Sequence, residues 1–231
     1  MTLGALAVAA LILPVMGGVA VLALDRWPNL REAATLTAAS ALFVVVLSML
    51  GPVLEGQGAE VTLREVIPGV TLGLEVEPLG LLFALVASFL WIVTALYAIG
   101  YMRGHGEENQ TRFYFFFAIA IAAAMGIAFS ANLFTLFAFY EALTLCTFPL
   151  VTHHGTEEAK RAGRVYLGIL LGTSVGLQLL AIMWTWQLAG TVDFRPGGIL
   201  EGTAPTGRLG ILLALFVFGV GKAAIMPRIM R

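Results

Sequence analysis

Apolar runs set the pattern of this chain, and short polar punctuation separates them. A helix needs about 20 mostly apolar residues to cross the hydrocarbon core of a bilayer. The runs Ala33–Leu54, Pro78–Met102 and Val165–Val192 each reach that length without one charged side chain. The run Phe113–Thr156 is too long for one span, and the turn-prone Ser130-Ala131-Asn132 divides it into two. A first run begins at the N-terminus, and a last one covers Leu209–Pro227. The pattern predicts an all-α integral membrane protein of about seven transmembrane helices. The expected spans are 3–24, 33–54, 78–102, 113–130, 132–152, 165–190 and 208–227, forming a single membrane domain 1–231.

Between the second and third spans, "AEVTLREV" and "GVTLGLEVEP" alternate apolar and polar positions with glycine between them. This is the signal of a short β-hairpin lying on the membrane surface. The segment Gly190–Gly207 is rich in Gly and Pro and reads as irregular. Gly168, Gly172 and Gly176 recur at four-residue spacing, which suits close packing of one helix on another.

Composition agrees with the pattern. Hydrophobic residues make up 59% of the 231 and charged ones only 12%, half the roughly 25% of an ordinary soluble domain. A formal net charge of −1 gives no reason to expect nucleic acid as a partner. The first apolar run has no Lys or Arg ahead of it, so it reads as a retained span rather than a signal peptide. Cys146 is the single cysteine, which excludes an internal disulfide framework.

Charge orients the spans. With the N-terminus outside, the inner segments hold Arg26, Arg31, Arg103, Arg112, Lys160, Arg161, Arg164, Arg228 and Arg231, against Arg64, Arg195 and Arg208 outside. That imbalance predicts an outer N-terminus and a cytoplasmic C-terminus in the inner (plasma) membrane.

Among the 13 basic and 14 acidic side chains, two fall inside spans rather than in loops or at span ends: Glu141 and Lys222. Glu141 lies nine residues past Asn132, about 14 Å down its helix, near the midplane. Lys222 lies 14 residues past Arg208, about 21 Å from the outer end of its helix. A charge at the centre of a span costs about 2.5–3.5 kcal/mol, and such groups commonly face a hydrated cavity or an ion path. Burial moves carboxyl and amine groups towards proton exchange near neutral pH, and pairing opposes that move. An acid and a base of this kind can act as a two-position proton switch. The plainer readings are a protonated Glu141 tied to Thr144 or a nearby carbonyl, and a Lys222 that snorkels to the cytoplasmic face.

"FAFYEALTLCTFPLVTHHGTEEAKRAGRVYL" and "FVFGVGKAAIMP" resemble the large membrane subunits of Mrp-type cation/proton antiporters. The antiporter-like subunits of respiratory complex I and of membrane-bound hydrogenases belong to the same superfamily. The resemblance implies that the Glu of the fifth helix, Glu141, and the Lys of the seventh, Lys222, form the proton/ion relay. It also implies other membrane subunits as partners, with protons and Na+ as the transported species. Family members have about twice as many helices, so the likeness is to the N-terminal half; the chain is expected to be either a split subunit whose other half a second chain carries or a truncated reading frame. The family often enters its sixth helix with Lys-Tyr; here the pair is Val165-Tyr166 after Arg164. Pro227, five residues after Lys222, either breaks the seventh helix beside the ion site, as the family's is broken, or ends it.

"VTHHGTEEAKR" gives His153, His154, Lys160 and Arg164 as candidates for a relay at the cytoplasmic mouth. A metal is not expected there, because four ligands in a defined geometry are not evident. Thr156 as an N-cap, followed by Glu157 and Glu158, accounts for the same residues as a helix start. No His lies within a span and one Cys cannot hold an iron–sulfur cluster, so no cofactor and no redox centre are expected. "GVGKAA" is not a phosphate loop, since position 216 is Phe and no Ser or Thr follows Lys222. Two other readings fit seven spans. One is a retinal-binding protein with Lys222 as Schiff base, although the third span offers no counter-ion acid. The other is a non-conducting scaffold subunit.

Overall fold

The computed structural model describes residues 2–153 and 155–220. Lys222, Pro227 and His154, all expected above to act in the relay, lie outside the described residues.

The elements, in chain order, are α1 (Leu3–Ala23), α2 (Pro28–Ser48), α3 (Leu50–Leu54), β1 (Ala59–Ile67), β2 (Val70–Val76), α4 (Pro78–His105), α5 (Gln110–Ala128) and α6 (Leu133–Val151). They continue with α7 (Glu157–Thr173), a π-helical turn (Ser174–Gln178), α8 (Leu179–Ala189) and α9 (Thr206–Gly219). Among the described residues, six helical segments are long and apolar enough to cross a membrane: α1, α2 with α3, α4, α5, α6 and the continuous α7–π–α8 rod. The chain is a multi-pass membrane protein. α9 is a shorter apolar helix of 14 residues as far as it is described.

The helices start where local chemistry predicts. Thr2, Asn132 and Thr156 cap α1, α6 and α7 by accepting from the backbone N–H three residues on. Pro28 and Pro78 occupy the first position of α2 and α4, where a missing N–H costs nothing. α2 therefore begins at Pro28, five residues before its apolar run.

Small residues set the packing of α1. Its buried side is Gly4, Ala7, Ala10, Pro14, Gly17, Gly18 and Val21, a narrow stripe between α2 and α5. α5 and α6 close in the same way. A Cβ on Gly126 would stand 2.3 Å from the Phe139 ring, so α6 lies flat on α5 only because position 126 is glycine. The main core joins α1, α2, α4 and α5 around Leu42, Met49, Trp91, Met125 and Phe129.

The hairpin forms as expected, with Pro68 and Gly69 (φ +81°) as its two-residue turn. Register irregularities between Thr62 and Arg64 and between Glu65 and Ile67 accommodate a turn whose twist does not match the strands. Only one strand rides on the surface. β1 is almost wholly exposed, whereas β2 buries Val70, Gly73, Leu74 and Val76 against the end of the bundle. Backbone bonds from Glu75 to the Phe129 carbonyl and from Ala131 to the Gly73 carbonyl fasten it to the α5–α6 turn.

The glycines of α7 and the π turn depart from expectation. A Cβ on Gly168, Gly172 or Gly176 would meet nothing within 4 Å, so this row faces away from every described helix. The contact with α9 is made by the π turn's other side.

Candidate functional site

Asn132 fixes where α6 enters the bundle. It is fully buried, its Oδ1 accepts from the Thr135 N–H at 2.8 Å, and its Nδ2 donates to the Thr71 carbonyl at 2.9 Å. The Leu133 N–H donates to the Val192 carbonyl, which joins the segment after α8 to the same point. β2, the start of α6 and the end of α8 thus meet at one residue, and the depth of everything along α6 is measured from it.

Phe137, Glu141 and Thr144 follow at helical spacing and share a face. Phe137 and Thr144 are buried, and Glu141 is half-buried with Oε2 fully covered. Glu141 lies eight residues into a 19-residue helix, about 12 Å along it, so its mid-span depth agrees with the sequence estimate. The Thr144 hydroxyl donates to the Tyr140 carbonyl at 3.0 Å, so its single hydrogen is committed to its own helix and cannot also be given to Glu141. Tyr140 lies within electrostatic range of both Glu141 and Tyr166 on α7.

Across from this face runs the α7–π–α8 rod. Phe137 belongs to one apolar cluster with Ile182 and Val192, and Leu179 and Phe216 pack against it. Four residues separate Phe137 from Glu141 and four separate Gln178 from Ile182, in antiparallel segments. Each step is about 6 Å in the same direction, so Glu141 and Gln178 come to a similar depth. Ser174 and Gln178 are both buried, at 0% and 4% exposure, in a rod that otherwise shows wide faces to its surroundings. A Cβ on Gly219 would lie 2.6 Å from the Gln178 backbone nitrogen. α9 therefore makes its closest approach at the π turn, three residues before Lys222.

Of the other candidates among the described residues, His153 and Lys160 sit at the far end of the bundle. His153 gives its carbonyl to Arg112 Nη2 at 2.8 Å, and its ring stands edge-on to Phe113 at 5.9 Å. Lys160 pairs with Glu157 at 2.9 Å in an exposed i,i+3 bridge. Arg164 is exposed on α7. Thr156 caps α7 by accepting from Ala159, and this plainer reading accounts for the segment's local geometry.

Sequence reasoning missed a charged cluster at that same end. It placed Arg31 and Arg103 in loops or at span ends, and both belong to helices, α2 and α4. Arg31 and Glu32 are 6% and 5% exposed near the start of α2. Arg103 on α4 donates through Nε to Glu32 Oε1 at 2.9 Å and through Nη2 to Oε2. Arg31 donates to Thr111 and Gln110 at the start of α5, and its guanidinium lies 5.4 Å from the Tyr114 ring centroid. The charges pin α2, α4 and α5 together. A cavity of about 720 Å³ opens beside them, lined by Leu22, Asp25, Arg31, Gln110, Arg112 and Phe116 among others. Proximity to an apolar run hid the burial; the signal available was the opposite charge of Glu32 and Arg103, at the inner ends of consecutive apolar runs.

Residues 130–228 match the family model described as NADH:quinone oxidoreductase/Mrp antiporter, TM, and residues 69–114 match that of NADH-ubiquinone oxidoreductase (complex I), chain 5 N-terminus. The chain is 28% identical over 156 residues to Hydrogenase-4 component B of Escherichia coli (strain K12), covering 68% of this chain and 23% of that protein. It is 25% identical over 196 residues to a Na(+)/H(+) antiporter subunit of Bacillus subtilis (strain 168), covering 80% of this chain and 39% of that protein. The chain thus spans well under half the length of these curated relatives. The Mrp complex from Dietzia sp. DQ12-45-1b shares the fold at TM-score 0.75 and 18% identity, over 96% of this chain and 41% of that one. An archaeal membrane-bound sulfane sulfur reductase does so at 0.78 and 19%, over 93% and 44%.

Proposed function

We propose that this chain, which matches the antiporter-like membrane subunits common to Mrp antiporters and NADH:quinone oxidoreductase, moves protons as an ion-translocating subunit of such an assembly. The assembly is a multisubunit cation/proton antiporter or a related redox-driven pump. The half-buried Glu141 at mid-span carries the reading. A carboxyl held at that depth costs folding energy, and such intramembrane ionisable groups commonly mark a path for charge.

In the proposed relay, Glu141 exchanges its proton with Lys222 on the seventh span, and the two alternate between paired and separated states. Lys160, Arg164, His153 and His154 serve the relay at the cytoplasmic mouth. The N-terminus lies outside and the C-terminus in the cytoplasm of the plasma membrane. Partner membrane subunits carry the relay onward, with Na+ as the counter-transported cation of an antiporter.

The test is Glu141→Gln in the assembled complex, with proton movement followed by dye quenching in inverted vesicles. The expected result is loss of proton transport with the complex intact, and partial retention in Glu141→Asp. Full transport in Glu141→Gln would refute the relay and return the chain to a scaffold role. A retinal-binding protein would instead show visible absorbance when purified; the family match does not favour it.

A further inference from the structure

The cavity beside Arg31 takes no part in the relay, and its walls change chemistry along their length. At about 720 Å³ it falls within the roughly 300–1,000 Å³ of ligand sites. The end of α1, the start of α2 and the first two turns of α5 line it. Phe116 stands six residues past Gln110, about 9 Å further into the bundle, and with Leu22 and Phe115 makes an apolar wall. Asp25, Glu107, Thr111 and Arg112 make the polar end. Trp27 is exposed at the N-cap of α2 beside it, and exposed Trp collects at the level of lipid headgroups.

Donors are in surplus at the polar end. Arg31 is buried, and its Nη1 and Nη2 donate to Thr111 and Gln110, but its Nε meets no acceptor among the described residues. Arg112 gives Nη2 to the His153 carbonyl, and its Nε is likewise buried without an acceptor among the described residues. A buried donor left so is costly. α2 and α5 both begin at this cavity, and neither has a side-chain cap. The N–H groups of their first turns and the positive ends of both helix dipoles therefore lie at its wall, an arrangement that attracts an anion. The lining is not uniformly positive, however. Asp25 and Glu107 stand in it beside Arg31 and Arg112, and Asp25 Oδ1 accepts the Thr111 hydroxyl at 2.5 Å. Two cations and two anions make the lining neutral overall, which suits a ligand carrying both signs.

We propose that this cavity binds the headgroup of phosphatidylethanolamine from the leaflet at this end of the bundle. The phosphate takes the side of Arg31, Arg112 and the two helix starts. The ammonium takes Asp25 and Glu107. The acyl chains leave along the apolar wall, where Leu22 is exposed towards the bilayer. A free phosphate ion would face both acids with no cation of its own and leave that wall bare. An anionic lipid would cover the wall but set its charge against the same two acids. The zwitterionic lipid meets all three parts of the lining and ties α1, α2 and α5 together at the membrane surface.

The experiment is native mass spectrometry of the full assembly, delipidated and then titrated with phosphatidylethanolamine, phosphatidylglycerol or inorganic phosphate. The unmodified protein is expected to hold one phosphatidylethanolamine that Arg112→Gln binds about tenfold more weakly, the worth of one hydrogen bond to a charged group. Asp25→Asn should narrow or reverse the preference for phosphatidylethanolamine over phosphatidylglycerol. Equal binding in the unmodified protein and Arg112→Gln would overturn the inference, as would a preference of the unmodified protein for phosphatidylglycerol. Displacement of the lipid by millimolar inorganic phosphate would overturn it in favour of a free-anion site. If Arg112→Gln does not assemble, a phosphatidylethanolamine with a photoreactive acyl chain decides on the unmodified protein. Crosslinks concentrated at Leu22 and Phe116 support the site, and crosslinks spread evenly over the lipid-facing helices reject it. These readouts do not involve proton flux, so failure of the relay in Glu141→Gln and failure of the lipid site are told apart.

Discussion

Replacing Asn132 separates two jobs done by one side chain. Its Oδ1 caps α6 through Thr135, and its Nδ2 ties the hairpin to the bundle through Thr71. Asn132→Ser keeps a capping oxygen and loses the amide donor. Asn132→Ala loses both. The cap is worth about 1 kcal/mol, and the donated bond about 1 kcal/mol more. The Thr71 carbonyl is not left bare in either variant, because the Thr135 hydroxyl also donates to it at 3.3 Å, so no further desolvation cost is added. The expectation is a loss of about 1 kcal/mol for Ser and about 2 kcal/mol for Ala. Equilibrium unfolding in mixed micelles measures the totals, and hydrogen exchange locates them. Gly73 and Glu75 amides should exchange faster in both variants, and the first turn of α6 faster in Ala alone. Equal losses in the two variants, or an unchanged first turn in Ala, would refute the division of labour.

Glu32→Gln removes the carboxylate that Arg103 grips with two nitrogens and leaves Arg31 without its buried neighbouring charge. Because Arg103 is half exposed, a loss of about 2–3 kcal/mol is expected, at or below the low end for a fully buried pair, measured by unfolding in micelles and by a double-mutant cycle with Arg103→Gln. Gly219→Ala drives a methyl into the Gln178 backbone; crosslinking yields between cysteines placed on α8 and α9 should fall as the helices separate. Burial first, then the negative charges of Glu77, Glu60 and Asp193, raises the Glu75 pKa above its ordinary 4.5. The folded state thus holds that proton more tightly than the unfolded chain, and the stability it lends is present below pH 4.5 and lost as pH rises through the raised value. Glu75→Gln should match the wild type at low pH and exceed it in thermal stability towards neutrality; a gap that shrinks with rising pH would contradict the sign.

Six spans, those found among the described residues, were legible because each answers to a local rule. An apolar run of sufficient length has no stable place outside a membrane or a core, and Asn132, Thr156, Pro28 and Pro78 mark starts whatever surrounds them. The hairpin was legible from alternation and the glycine between its strands, and Glu141 from the cost of a carboxyl in an apolar run. Those are properties of segments, and the sequence alone determined them. Arg31, Glu32 and Gln178 were not legible in the same way. A charge five residues before an apolar run looks solvated until α4 and α5 bring Arg103 and Thr111 to it, and a glutamine in a span looks like tolerated polarity until its oxygen is found buried without a donor. The row of Gly168, Gly172 and Gly176 fits a packing seam by spacing, yet α9 took the other side of the rod, where Gly219 meets Gln178. Which face of a helix is covered depends on partners distant in sequence, and only the tertiary structure could decide it.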